Sequence, residues 1–345
     1  MKNKLLMLLL IIIVIAMGVL LGMRYVSQNN DVDIEVGNIE SKEETKIVEE
    51  KKVKIWNGDS RSVAVVIDNV GEALPQAGIN DAAIVYEVTV EGQLTRLLAI
   101  YKDVKDVTKT IGPVRSARPV FIDYALENDS IFTHFGYSPK AEKEITQLKI
   151  NNVNGLVADS VFSRTSEKSA PHNAMATMEK ILTYAKNKGY RMTTEKRSVL
   201  NYVVDEVELE NGEVANIVNI PYTSTNKVSF KYNEEKKVYE RYVNNKVQSD
   251  WITNETRTAK NIIITFARNY TTDEENGYGR QQIVNIGDLN GYYITDGKAI
   301  KIICSKTTRE GQTVYKDEEG NEIEVNDGNT YIQIVPINTN VTFEM

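Results

Sequence analysis

From Leu5 to Met23 the chain reads LLMLLLIIIVIAMGVLLGM, without a charge. At about 1.5 Å per residue a helix of this stretch is roughly 28 Å long, close to the hydrocarbon thickness of a bilayer, and a single transmembrane helix is predicted. A cleaved signal peptide is the competing reading. Its apolar region is about 7–15 residues long and ends at an A-x-A-like site. Here Ala16-Met17-Gly18 lies inside the run. Lipid attachment is a third possibility, but Leu20-Leu21-Gly22 is followed by Met23 where a cysteine is required. Lys2 and Lys4 precede the run and Arg24 follows it, so the positive-inside bias places the N-terminus in the cytoplasm and the body outside.

Beyond this anchor (residues 1–28) the pattern changes three times. Residues 29–59 alternate acidic and basic side chains with few apolar ones, which cannot bury enough surface to offset ordering, and are expected to form a flexible stalk. Residues 60–204 mix two periods. Strands are predicted at 62–69, 82–90, 95–103 and 130–135, and helices at 120–128 and 141–150. The clearest amphipathic helix runs from Ala174 to Lys188 and is closed by Gly189. Residues 205–345 read almost wholly as strands: 227–233, 238–245, 261–269, 281–288, 291–300, 301–306 and 330–337. Asn233-Glu234-Glu235, Glu319-Gly320-Asn321, Asp327-Gly328-Asn329 and, within 291–300, Asp296-Gly297 are the turn signals that connect them. The expected fold is therefore α+β. A mixed α/β first domain (60–204) is followed by a smaller all-β domain (205–345), a sandwich or open barrel, behind an N-terminal transmembrane helix.

Composition narrows the chemistry. A net charge of −7 disfavours nucleic acid as a partner. One cysteine, Cys304, excludes a disulfide framework and a Cys-based zinc site, and suits a buried small hydrophobe. Neither a Gly-x-Gly-x-x-Gly after a strand nor a P-loop is present, and no cofactor is implied.

The chain carries Val85-Tyr86-Glu87, Glu91-Gly92-x-x-Thr95-Arg96, Ile111-Gly112-Pro113-Val114-Arg115-Ser116-Ala117-Arg118, His134 with Gly136-x-Ser138, and Ala170-Pro171-His172-Asn173. In this order it resembles the YerB-like family of Gram-positive surface lipoproteins, over about residues 60–345. In the second half Phe230-x-Tyr232, Asn261-Ile262-Ile263-Ile264 and Gly328-x-Thr330-Tyr331 carry the similarity. The resemblance implies two domains of unknown function and names no reaction. This chain departs from the pattern at Gln93 (commonly Gly), at Tyr331 (commonly Trp) and in lacking the lipid-bearing cysteine, which implies attachment by the helix instead.

Function must then come from the polar residues. Arg115 and Arg118 beside a Gly-Pro loop suit a carboxylate or phosphate, or else pair structurally with Glu87, Glu91 and Asp123. His134 and His172 are the only histidines. They could hold one metal with Asp68 or Glu91, although no metal is expected; a histidine at a strand end is otherwise scaffold. Asn173 is expected to cap the helix after it and to leave His172 exposed at the positive helix end, which favours a neutral imidazole and a usable base. Ser160, Ser163, Ser166 and Ser169 lack the frame of a known nucleophile motif. The candidate cleft is Glu87, Glu91, Arg96, Arg115, Arg118, His134, His172 and Asn173. One expectation is an envelope protein that binds an anionic envelope ligand or a protein partner there. The other is a wall-directed hydrolase or transferase with a carboxylate or His172 as base.

Overall fold

Val63–Asp68 (β1) opens with five successive apolar residues, too many for a strand with one wet face. All six of its residues are buried. Val63, Val65 and Ile67 enter one core, and Ala64 and Val66 enter another, the two-sided burial of a central strand. The computed structural model describes residues 52–92, 94–106, 108–272 and 278–345. The predicted helix at 5–23 and most of the stalk lie outside the described residues. Among the described residues no helix is long and apolar enough to cross a membrane.

The principal elements after β1 are β2 (Ile84–Glu91), β3 (Leu94–Tyr101), α1 (Pro119–Glu127), β4 (Ile131–His134), α2 (Pro139–Gln147), β5 (Asn152–Asn154), β6 (Ala174–Thr177) and α3 (Met178–Asn187). The second half supplies β7 (Ile217–Pro221), β8 (Lys227–Asn233), β9 (Val238–Val243), β10 (Asn261–Thr271), β11 (Gly287–Thr295), β12 (Lys298–Lys306) and β13 (Thr330–Pro336). The protein is mostly β, with three α-helices among the described residues.

One large sheet runs β12-β11-β10-β13-β2-β3-β1-β4-β5. β13 lies parallel to β10 on one side (Ile262 beside Tyr331) and parallel to β2 on the other (Ile84 beside Thr330). The sheet thus continues across the position near residue 204 where the sequence pattern changes. Six of the seven residues of β13 are buried, so it needs a partner on each edge, and those partners come from different halves of the chain. The second-half strands do not close on themselves as a sandwich: β10 to β13 extend the large sheet, while β7, β8 and β9 form a separate sheet.

That smaller sheet and α3 cover the face bearing Val85, Leu97 and Tyr331. α1 and α2 cover the opposite face, with Tyr86, Leu98 and Ile332. α2 starts at Pro139, and the capping Ser138 Oγ accepts from the Ala141 N–H at 3.3 Å. α3 begins at Met178, four residues later than the pattern predicts. Ala174–Thr177 pairs instead with Thr110–Ile111 as β6, and Thr177 rather than Asn173 caps the helix, accepting from Lys180 N–H at 3.4 Å. The β11–β12 connection is the predicted Asp296-Gly297 turn, with φ of 46° and 76°. Residues read as the end of the stalk are docked: Lys54 and Ile55 N–H groups donate to Asp327 at 2.8 and 2.9 Å.

Candidate functional site

β1 ends in Asp68, a charged side chain on a strand otherwise apolar, and its side chain is 1 % exposed. Two groups meet one of its oxygens. His172 Nδ1 lies 2.7 Å from Oδ2 and Arg115 Nε lies 3.0 Å from it. A carboxylate only accepts, so Nδ1 carries the imidazole proton and Nε2 is turned away from Asp68. The side chains of His172 and Arg115 are 20 % and 24 % exposed, so this is where the cluster reaches water.

Backbone hydrogen bonds set this geometry. Asp68 N–H donates to Pro113 O at 2.8 Å, Arg115 N–H to Val66 O at 2.8 Å, and Val114 N–H to Ala174 O at 2.6 Å. The end of β1, the Gly-Pro-Val-Arg loop and the loop before β6 are therefore tied to one another before any side chain meets. Gly112 has φ of 142°, and a Cβ there would stand 2.9 Å from Ala174 O, so only glycine lets these two loops approach. Asn173 braces the same loop, accepting from Arg164 Nη1 at 2.6 Å and donating to Thr165 O at 3.1 Å.

Arg96 stands opposite Asp68 across the β1–β3 pair. It donates to Ser116 O at 2.8 Å and to Glu91 Oε2 at 3.1 Å. Burial pushes its guanidinium down to about 10, and the nearby Arg118 charge acts in the same direction. Arg118 donates from Nε to Glu91 Oε1 at 2.6 Å and also engages that oxygen through Nη2. Three guanidiniums, Arg96, Arg115 and Arg118, thus face two carboxylates, Glu91 and Asp68. Glu91 reaches Arg96 because the register shifts between Thr89 and Glu91, which breaks the two-residue alternation of β2.

Asp68, Arg115 and His172 form one group, and Glu91, Arg96 and Arg118 form a second that adjoins it through Arg96, opposite Asp68. Glu87 and His134 do not reach solvent. Glu87 projects to the other face of β2. Its Oε1 accepts from Asn69 at 3.0 Å and Thr95 at 2.8 Å, and its Oε2 from Arg241 at 2.8 Å. His134 is fully buried and bonded through Nδ1 to Gly136 O at 2.8 Å, and burial pushes it down to about 4. The helix starts six residues beyond His172, so the predicted placement of His172 at a helix end does not hold. Among the described residues no three His, Cys, Asp or Glu side chains gather as a metal-binding group.

The sequence pattern named Asp68 only as a possible metal ligand and passed over Arg241. The legible signals were an acidic residue closing a buried strand and, in β9, the inward position that Arg241 shares with Tyr239 by two-residue alternation.

Residues 49–191 match the N-terminal domain, and residues 218–332 the C-terminal domain, of a family described as protein of unknown function (DUF3048). The chain is 31% identical over 287 residues to the "Putative lipoprotein YerB" of Bacillus subtilis (strain 168), covering 81% of this chain and 82% of that protein. The crystal structure of YerB protein from Bacillus subtilis superposes with a TM-score of 0.72 at 30% identity, covering 82% of this chain and 94% of that one. The chain belongs to this YerB-like, DUF3048 family.

Proposed function

We propose that this family member is a membrane-associated extracytoplasmic envelope protein that binds an anionic group at the mouth formed by Arg115 and His172. The similarity to a lipoprotein of Bacillus subtilis supports a place at the membrane, and the uncharged run from Leu5 to Met23 would hold this chain there without a lipid, with the body outside. The observation that carries the binding reading is the shared use of Asp68 Oδ2. One buried oxygen engages Arg115 Nε and His172 Nδ1, and no hydrogen bond within the described residues engages the Nη atoms of Arg115 or Nε2 of His172. A guanidinium ion-paired with a buried carboxylate beside an imidazole, in a cluster with more guanidiniums than carboxylates, suits a carboxylate or phosphate of envelope material or of an acidic protein segment.

The test is binding of the full-length protein to purified cell-wall fragments. Binding lost in Arg115→Ala and in His172→Ala, with unchanged folding, is the expected result. Equal binding by both variants would sink the reading.

A second reading rests on the Asp68–His172 pair alone. A carboxylate that holds Nδ1–H orients an imidazole whose Nε2 can accept a proton, the positioning logic of a general base. Glu91 is the weaker base, since both its oxygens are engaged by Arg96 and Arg118. A hydrolase or transferase would release product from the same wall fragments, and His172→Ala would abolish that release.

A further inference from the structure

Arg241 and Arg257 are among the largest fully buried side chains. They are also neighbours. Thr258–Ala259 pairs with β9, and in the same register Arg241 N–H donates to Arg257 O at 2.9 Å. Two like charges directly opposite on adjacent strands repel, and inside a protein that repulsion is poorly screened.

Their partners do not balance them equally. Arg241 Nη2 has the Glu87 carboxylate at 2.8 Å. Arg257 Nη2 has only the neutral amide oxygen of Gln76, at 2.8 Å. Asp250 lies within electrostatic reach of Arg257, but its oxygens accept from the N–H groups of Gly78, Ile252 and Thr253, and it makes no ion pair with Arg257. Glu87, Asp250 and the hydroxyls of Tyr331, Tyr222 and Tyr101 are the ionisable groups that bear on the pair.

Unused donors belong to the same group: Arg241 Nε and Nη1, Arg257 Nη1 and the Tyr331 hydroxyl are all buried without a partner among the described residues. The Arg241 guanidinium lies 6.0 Å from the Tyr331 ring centre, and Tyr331 feels the charge of both arginines. A water molecule could satisfy hydrogen bonds at such a place but would leave the second positive charge uncompensated, and an unpaired buried charge is costly.

We propose that a compact anion of chloride size is held inside the protein between Arg241, Arg257 and the Tyr331 hydroxyl, where it locks the smaller sheet onto the large one. The site lies on the opposite face of β2 from Arg96 and is independent of the envelope-ligand reading. The enclosing side chains are at most 1 % exposed, which favours a single-atom anion over a phosphate or a wall fragment.

Crystals of the full-length protein grown in sodium bromide test this by anomalous scattering at the bromine edge. An anomalous peak within hydrogen-bonding distance of Arg241 Nη1, Arg257 Nη1 and Tyr331 Oη is expected. In solution the unfolding temperature should rise with chloride but not with gluconate at equal ionic strength, and Arg257→Gln should abolish that difference. Density at this position without anomalous signal would identify water and overturn the proposal, whether or not Arg257→Gln folds.

Discussion

Arg241 of β9 donates to Glu87 of β2 at 2.8 Å across 154 positions of sequence, with both side chains wholly out of solvent. The bond joins the smaller sheet to the large one. Removing either partner strands a charge in the interior, which costs on the order of 3–5 kcal/mol. Glu87→Gln and Arg241→Met should each lower the unfolding free energy by about that much in urea titrations. The double variant should recover part of the loss. Single losses below about 1 kcal/mol would show that the pair does not hold the sheets together.

Asp68→Asn tests what orients His172. With a carboxylate acceptor the imidazole carries its proton on Nδ1; an amide can present either N–H or C=O and loses that selectivity. Nitrogen-15 NMR at pH 8 should show the Nδ1–H tautomer for His172 in the parent and a mixed population in Asp68→Asn. Because the chain has two histidines, the spectrum contains only His134 besides. An unchanged tautomer would remove Asp68 from its positioning role.

His134 makes folding sensitive to acid. Burial holds it at about 4 in the folded protein, against 6.5 in the unfolded chain. Its contribution is complete above pH 6.5, is lost as pH falls toward 4, and changes no further below that. Over this window the loss is about 3 kcal/mol. The pH dependence of the unfolding free energy, compared between the parent and His134→Gln, should differ by that amount in that window. Parallel curves would count against a neutral buried imidazole.

Cys304 should be silent in the native protein. It is buried in β12, accepts from Thr265 Oγ1 at 3.3 Å, and burial pushes its thiol up to about 12. Thiolate is the reactive form, so a chromogenic disulfide reagent should find no reactive thiol at pH 8 in folded protein and one in guanidinium. Rapid native labelling would contradict this burial.

Local pattern made much of the fold legible. The apolar run at β1, the alternation in β8 and β9 and the Asp296-Gly297 turn all placed elements where the chain forms them, because side-chain period and turn chemistry are properties of a few adjacent residues. Pattern failed at Ala174–Thr177, whose four residues fit a helix but form a strand because Thr110–Ile111 offers hydrogen bonds there.

The candidate site divided along the same line. The residue types came from sequence: guanidiniums after Gly112-Pro113, a carboxylate at Glu91 and an imidazole at His172. Their selection did not. Glu87 and Glu91 look alike in sequence, yet strand alternation sends Glu87 into the interior and a register shift turns Glu91 toward Arg96.

Local pattern therefore specifies the uncharged run at 5–23, most elements of the body and the supply of charged groups. Long-range pairing places β13 between β2 and β10 and brings Asp68, Arg115 and His172 to one oxygen. It also brings Arg241 and Arg257 to the same face beside Glu87. Such pairings depend on sheet register between segments far apart in sequence, and no periodicity within a segment encodes which distant edge it will meet.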